Sequence, residues 1–343
     1  MNQRAATLLA FVVLMAPALR ADPIQPENGF KYEPFYADRW EEKGIPTEMT
    51  AWKGEEIAFL TLNDEHDSAM MTSIVDRLDK GWATYRDLVG QDPRPFKMMG
   101  ELPIIAAIPE GLSCGAGCGF VGATGVELCL FYSRDLTHLK KDPTAVPHYI
   151  YYEMGRNFYV FGERHSYFAT GFAVFMRYVC MDATKSTDVE AWERKEIEGF
   201  EAKVKEAKQL SFLEIFTSAG DETRRKHGRD AGLSDSQNSN HASVMLYLRK
   251  TQGGDEWIKR FYKAMPSADS FPVNSEGAPY LQSLNWLVAA SIASKKDLAP
   301  LFMERYRFPL PEGDATKLAA IEWDKKELSI AKIVSELSKT PAK

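Results

Sequence analysis

Tyr151-Tyr152-Glu153-Met154-Gly155-Arg156-Asn157-Phe158 is the stretch whose reading decides the fold. Pro147 stands just before it, well placed as a first helical residue because it lacks an N–H and its φ is already helical. The pattern predicts a helix over 148–161, ended by Gly162. On that helix Tyr149, Tyr152, Glu153 and Arg156 fall on one side, between apolar flanks. Two phenols, a carboxylate and a guanidinium on one face make a candidate binding patch. Charged helix residues are ordinarily solvated, so the patch gains meaning only if neighbouring segments wall it in.

Upstream lie segments able to do that. Residues 55–62 and 102–108 are short apolar runs that predict strands, the second closed by Pro109-Glu110-Gly111. Between them, Met70, Ile74, Leu78, Trp82 and Tyr85 recur at helical spacing, predicting a helix over 64–88 capped by Asn63 or Asp64. A Gly- and Cys-rich turn leads to a further strand over 124–132. Residues 22–50, rich in Pro, acidic and aromatic residues without periodicity, predict an N-terminal arm.

Downstream the chain is mostly helical. Residues 167–181 are apolar enough to be buried, and 189–210 predict a charged, largely solvated helix. Residues 222–240 cluster Gly, Ser, Asp and Asn and predict a long loop. Helices are expected over 241–250, 255–264 and 280–294, then a short one from 297 and a loose tail over 331–343. The fold class is therefore α+β, with an α/β subdomain over 51–165 followed by a mainly helical subdomain over 166–330.

The first 21 residues carry Arg4, an apolar run and Ala16-Pro17-Ala18, the marks of a cleavable signal peptide. The expected location is exported, in the periplasm or outside the cell, with no membrane insertion after signal removal. A net charge of −6 argues against nucleic acid as a partner, since phosphate recognition needs basic patches. Cys114, Cys118, Cys129 and Cys180 are disulfide candidates, and four cysteines allow three pairings. A four-thiolate zinc site is the alternative, although Cys180 lacks a close partner in sequence.

Glu153-Met154-Gly155 with Asn157, and Thr170-Gly171-Phe172-Ala173-Val174-Phe175, carry a resemblance to gluzincin metallopeptidases. The stretch around Asn285 to Leu310 is similar to the distal segment of mucin-targeting, enhancin-like peptidases. The resemblance implies a zincin-like N-terminal subdomain, a small mixed sheet whose edge strand runs beside an active-site-type helix. It also implies zinc, held by two histidines of H-E-x-x-H and a downstream glutamate. Here Tyr152, Arg156 and Thr170 occupy those three positions. A guanidinium has no lone pair for a metal and cannot lower the pKa of a bound water. No metal is expected at this site, and no cofactor.

The expected function is an exported, non-catalytic metallopeptidase-like protein that binds a peptide, glycopeptide or glycan in the inherited cleft. Tyr149, Tyr152, Arg156, His165 and Thr170 are the candidate contacts, with Arg156 pairing Glu153 and holding it ionised. The alternative is an active hydrolase with Glu153 as general base and Arg156 or Tyr152 stabilising an oxyanion. A glycosidase would need a second carboxyl, for which Glu163 and Asp182 are candidates.

Overall fold

The computed structural model describes residues 22–63, 65–162, 168–271, 275 and 277–342. Residues 1–21, where a signal peptide is expected, and Asp64, Glu163 and His165 lie outside the described residues. The strands are β1 (Glu27–Lys31), β2 (Glu48–Lys53), β3 (Ala58–Thr61), β4 (Met98–Met99), β5 (Leu102–Ala107), β6 (Gly117–Gly119) and β7 (Val126–Leu128). They form one mixed sheet in the order β1-β2-β3-β5-β7-β6, with β4 paired to β5 outside that path. β3, β5 and β7 run parallel, while β6 returns antiparallel along β7 as the edge strand.

The helices are α1 (Ala37–Glu42), α2 (Ser68–Val89), α3 (Leu136–Lys141), α4 (His148–Asn157), α5 (Ala169–Thr184), α6 (Ala191–Val204) and α7 (Phe212–Phe216). They continue with α8 (Asp221–His227), α9 (Gln237–Gln252), α10 (Gly254–Ala264), α11 (Ala278–Ser294), α12 (Ala299–Tyr306), α13 (Glu312–Ala319) and α14 (Ile330–Ser335). The α+β class is as expected. Among the described residues, no helix is long and apolar enough to cross a membrane.

Alternation along the strands sends successive side chains to opposite faces. Trp52, Phe59, Ile105, Val126 and Leu128 join the large core shared with the helices. Ala51, Leu60, Ile104, Ala106 and Cys129 face a smaller core closed by Tyr32 and by Trp40 of α1. The segment read as an arm therefore supplies β1, α1 and the start of β2. Its anchors are single buried aromatics, which leave no periodic stripe in the sequence.

α2 crosses from β3 to the parallel β5 and buries Ile74, Leu78, Trp82 and Tyr85, as the spacing requires. Its cap is Asp67, which accepts from the Met70 N–H at 2.7 Å, in place of the expected Asn63 or Asp64. Asp79 accepts from the N–H groups of Glu55, Glu56 and Ile57 at 2.7, 2.9 and 2.9 Å. Asp79→Ala should cost about 3 kcal/mol, because it removes charge-assisted bonds and strands a buried donor. Urea unfolding at pH 7 checks this; a loss below about 1 kcal/mol would mean water replaces the carboxylate.

Four other expectations differ from what is observed, and the first is the strand expected over 124–132, which is confined to β7 while Phe131–Asp135 turn helical ahead of α3. α4 stops at Asn157 instead of reaching residue 161, because the Asn157 amide donates to the carbonyls of Phe120 and Gly125. The expected loop over 222–240 contains most of α8 and the start of α9. It is organised by Arg224, 2 % exposed, which donates to the carbonyls of Glu214, Thr217 and Asp235. The expected tail includes most of α14, whose Ile330 and Val334 are buried together with Leu337.

Candidate functional site

α4 lies directly beneath β6, and glycine makes that approach possible. A Cβ at Gly119 would sit 2.2 Å from the Glu153 carbonyl oxygen, and one at Gly117 would sit 2.9 Å from Glu153 Cγ. Gly155 plays the same part on the opposite side of α4, where a Cβ would lie 3.2 Å from Ala173 Cα of α5. The helix is thus held between a strand and a second helix, which is why its middle is buried.

Glu153 is 6 % exposed. Its Oε2 accepts from the Gly119 N–H at 2.8 Å. Burial pushes the carboxyl up to about 7, against the opposing pull of the Gly119 N–H and the Arg156 charge. The expected Glu153–Arg156 ion pair does not form. Arg156 instead donates from Nε to the Gly119 carbonyl at 3.3 Å and from Nη1 to the Tyr152 hydroxyl at 3.4 Å. The Arg156 guanidinium is thus held by neutral oxygens, and desolvation of Glu153 prevails.

The remaining candidates are placed as follows. Tyr152 and Arg156 are half-buried and adjacent. Tyr149 is buried, and its hydroxyl donates to the fully buried Asp135 while Arg134 stacks over its ring at 5.0 Å. Tyr149 therefore turns away from the patch it was expected to share. Tyr151 and Tyr159 are buried as well, so of these four tyrosines only Tyr152 reaches solvent. Thr170 is half-buried in the first turn of α5, and among the described residues no hydrogen bond joins it to Tyr152, Glu153 or Arg156. Asp182, the proposed second carboxyl, is bound by Arg194 at 2.7 Å and Arg249 at 2.6 Å, a structural arrangement.

The cysteines resolve into one bridge and two thiols. Cys114 and Cys118 form a disulfide across the turn before β6, so only these two of the four candidates are bridged. Cys129 and Cys180 are free and buried, and burial pushes the Cys129 thiol up to about 11, leaving it protonated and a poor metal ligand.

Sequence reasoning missed two features. Phe96 and Phe120 are 48 % and 38 % exposed and meet edge to face at 4.5 Å, with Phe35 against Phe120 at 4.6 Å. This aromatic surface adjoins α4, since the Gly122 N–H donates to the Arg156 carbonyl at 3.1 Å. The other is His148, the first residue of α4. It is 2 % exposed and faces Asp188, Glu190 and Glu193. The Gly117-x-Gly119 spacing is a signal of close backbone approach that went unread; nothing in the sequence linked His148 to residues forty positions away.

No protein-family model matches this chain, and no curated protein does. Two crystal structures are similar in outline, both from Bacillus anthracis str. Ames. One is of a functionally unknown conserved protein mutant, 10% identical, with a TM-score of 0.47, covering 84% of this chain and 55% of its own. The other is of a functionally unknown conserved protein, 11% identical, with a TM-score of 0.46, covering 88% and 57%. The chain thus spans a little over half the length of these neighbours, and neither bears on the chemistry of the site.

Proposed function

We propose that this chain is an exported, non-catalytic protein on a zincin-like, metallopeptidase-like frame, and that it binds a peptide or glycan beside α4. The observation that carries the reading is the bond from the Gly119 N–H to the buried Glu153 carboxyl. A general base must reach a substrate proton or a water; this one holds an edge strand in place. Tyr152, Arg156 and Thr170, at the positions where the resembled family holds zinc, offer it no imidazole or carboxylate.

The ligand side rests on the surface formed by Phe96, Phe120, Tyr152 and Arg156. Exposed rings with an ammonium over one of them, Lys97 above Phe96 at 5.0 Å, suit the apolar face of a sugar or the side chains of a peptide. Strand addition is disfavoured at Gly119, because Glu153 and Arg156 already take its N–H and C=O. Recognition would then run through side chains.

Peptide and glycan arrays, followed by calorimetry on the best ligand, test this. Phe120→Ala and Arg156→Ala should each weaken binding about tenfold, the equivalent of about 1.4 kcal/mol. Neither wild type nor Glu153→Gln should hydrolyse the ligand. One observation favours the hydrolase reading, the poise of the Glu153 carboxyl near 7. Turnover that Glu153→Gln abolishes would establish that reading in place of the first.

A further inference from the structure

We propose that His148, Glu190 and Glu193 form a binding site for a first-row divalent cation, with Asp188 as the carboxylate behind the imidazole. The site lies at the start of α4, more than a helical turn before Glu153. It does not depend on the function proposed above.

The chain crosses His148 as it passes from α5 into α6. His148 Nε2 lies 3.3 Å from Glu190 Oε2 and 3.0 Å from Glu193 Oε2, while Nδ1 lies 3.4 Å from Asp188 Oδ1. A neutral imidazole has one N–H and one lone pair. Whichever nitrogen holds the proton, the other points its lone pair at a carboxylate. If Nε2 holds it, that single hydrogen must serve two carboxylates. Either a second proton on the ring, which gives the carboxylates on each side an N–H, or a cation between Nε2 and the two Oε2 atoms removes the conflict, and the two compete for the same nitrogen.

The second oxygen of each carboxylate is already held. Arg177 Nη2 binds Glu193 Oε1 at 2.6 Å, and Arg134 Nη1 approaches Glu190 Oε1 at 3.4 Å. Both glutamates are therefore oriented from behind, each presenting Oε2 to the imidazole. Two guanidiniums against the three carboxylates of Asp188, Glu190 and Glu193 leave the cluster negative while the imidazole is neutral. Tyr178 packs edge-on against the His148 ring at 5.7 Å and fixes its plane.

The spacing fits coordination. Ligand atoms about 2.0–2.2 Å from a tetrahedral zinc stand roughly 3.3–3.5 Å from one another. The nitrogen-to-oxygen separations here are within a few tenths of that, and the three donor atoms all lie within 4.8 Å of each other. An independent observation points the same way. His148 Nδ1 and Asp188 Oδ2 are both buried without a hydrogen bond. A metal on Nε2 would place the proton on Nδ1, facing Asp188, the arrangement by which a carboxylate orients a metal-bound histidine. The mix of imidazole and carboxylate suits zinc or manganese above magnesium or calcium. Glu190 and Glu193 keep 30 % and 31 % of their side chains exposed, which leaves a path for the ion and room for a water.

The experiment uses tag-free protein stripped with chelator and titrated with Zn2+ by calorimetry, with Mg2+ and Ca2+ alongside. One zinc per chain is expected, binding tighter than either control ion. Glu190→Gln should remove it, and Asp188→Asn should weaken it about 10- to 100-fold. Glu153→Gln and Cys129→Ser should leave it unchanged. In wild type, nitrogen NMR should show zinc shifting His148 Nε2 while Nδ1 keeps its proton, a readout that survives if a variant fails to fold. Folded wild type that binds no zinc, or zinc whose binding ignores Glu190→Gln and leaves the His148 signals unmoved, would overturn the proposal. Loss of binding in Cys129→Ser or Glu153→Gln, with Glu190→Gln intact, would overturn it equally and place the metal elsewhere.

Discussion

Glu153→Gln should make the protein more stable, by about 3 kcal/mol at pH 8 and by almost nothing at pH 4. An unfolded glutamate ionises near 4.5, whereas the folded carboxyl keeps its proton up to about 7. Between those values the unfolded chain has released a proton that the folded chain still holds, so raising the pH favours unfolding. The loss accumulates across that window and levels off above 7. Glutamine keeps an oxygen for the Gly119 N–H and carries no charge to desolvate. Urea unfolding of both proteins at pH 4, 6 and 8 checks the profile. A constant difference would show that the carboxyl is not desolvated, and wild type gaining on the variant as pH rises would restore the Arg156 pairing.

The second large effect is expected at Gly119. Gly119→Ala puts a methyl 2.2 Å from the Glu153 carbonyl oxygen and 2.9 Å from its carbon. Both are main-chain atoms, so no side-chain rotation relieves the overlap and β6 must lift from α4. That movement also breaks the bonds from Gly119 to Glu153 and Arg156. A loss of about 3 kcal/mol or more follows from overpacking plus the stranded buried groups. Gly199→Ala is the control. Gly199 lies within α6, where an added Cβ meets nothing within 4 Å. It should gain about 0.5–1 kcal/mol from helix propensity alone. Thermal unfolding of the pair separates close approach from glycine chemistry in general, and a mild Gly119→Ala would mean β6 floats above the helix.

The helix α2 was legible from its repeat, β3 and β5 from their apolar runs, and the helix around Glu153 from the proline that opens it. It did not reveal which face of α4 is exposed. Tyr149 and Tyr152 share one side by spacing, yet Tyr149 bonds to the buried Asp135 and Tyr152 reaches solvent. Helical geometry places side chains relative to one another; only the neighbouring strand and turn decide which are covered. The expected pairing of Glu153 with Arg156 failed for the same reason. Three residues apart is close enough to pair, but the Gly119 peptide offered each side chain a partner of its own. Arg224 organises the stretch expected to be a loop because a buried guanidinium can gather three carbonyls, two at the end of α7 and one at Asp235, which composition does not register.

Gly119's arrangement also gives the two margins of the sheet different fates. At the β6 margin the free peptide groups of Gly119 are occupied by a carboxyl and a guanidinium from the same chain, so another molecule's strand finds no vacancy there. At the far margin β1 pairs only with β2 among the described residues, and four of its five residues are exposed. Any self-association by strand pairing would therefore begin at β1. A crowded or partly unfolded population of this protein would then join through its first strand and cap its growth at the Gly119 end.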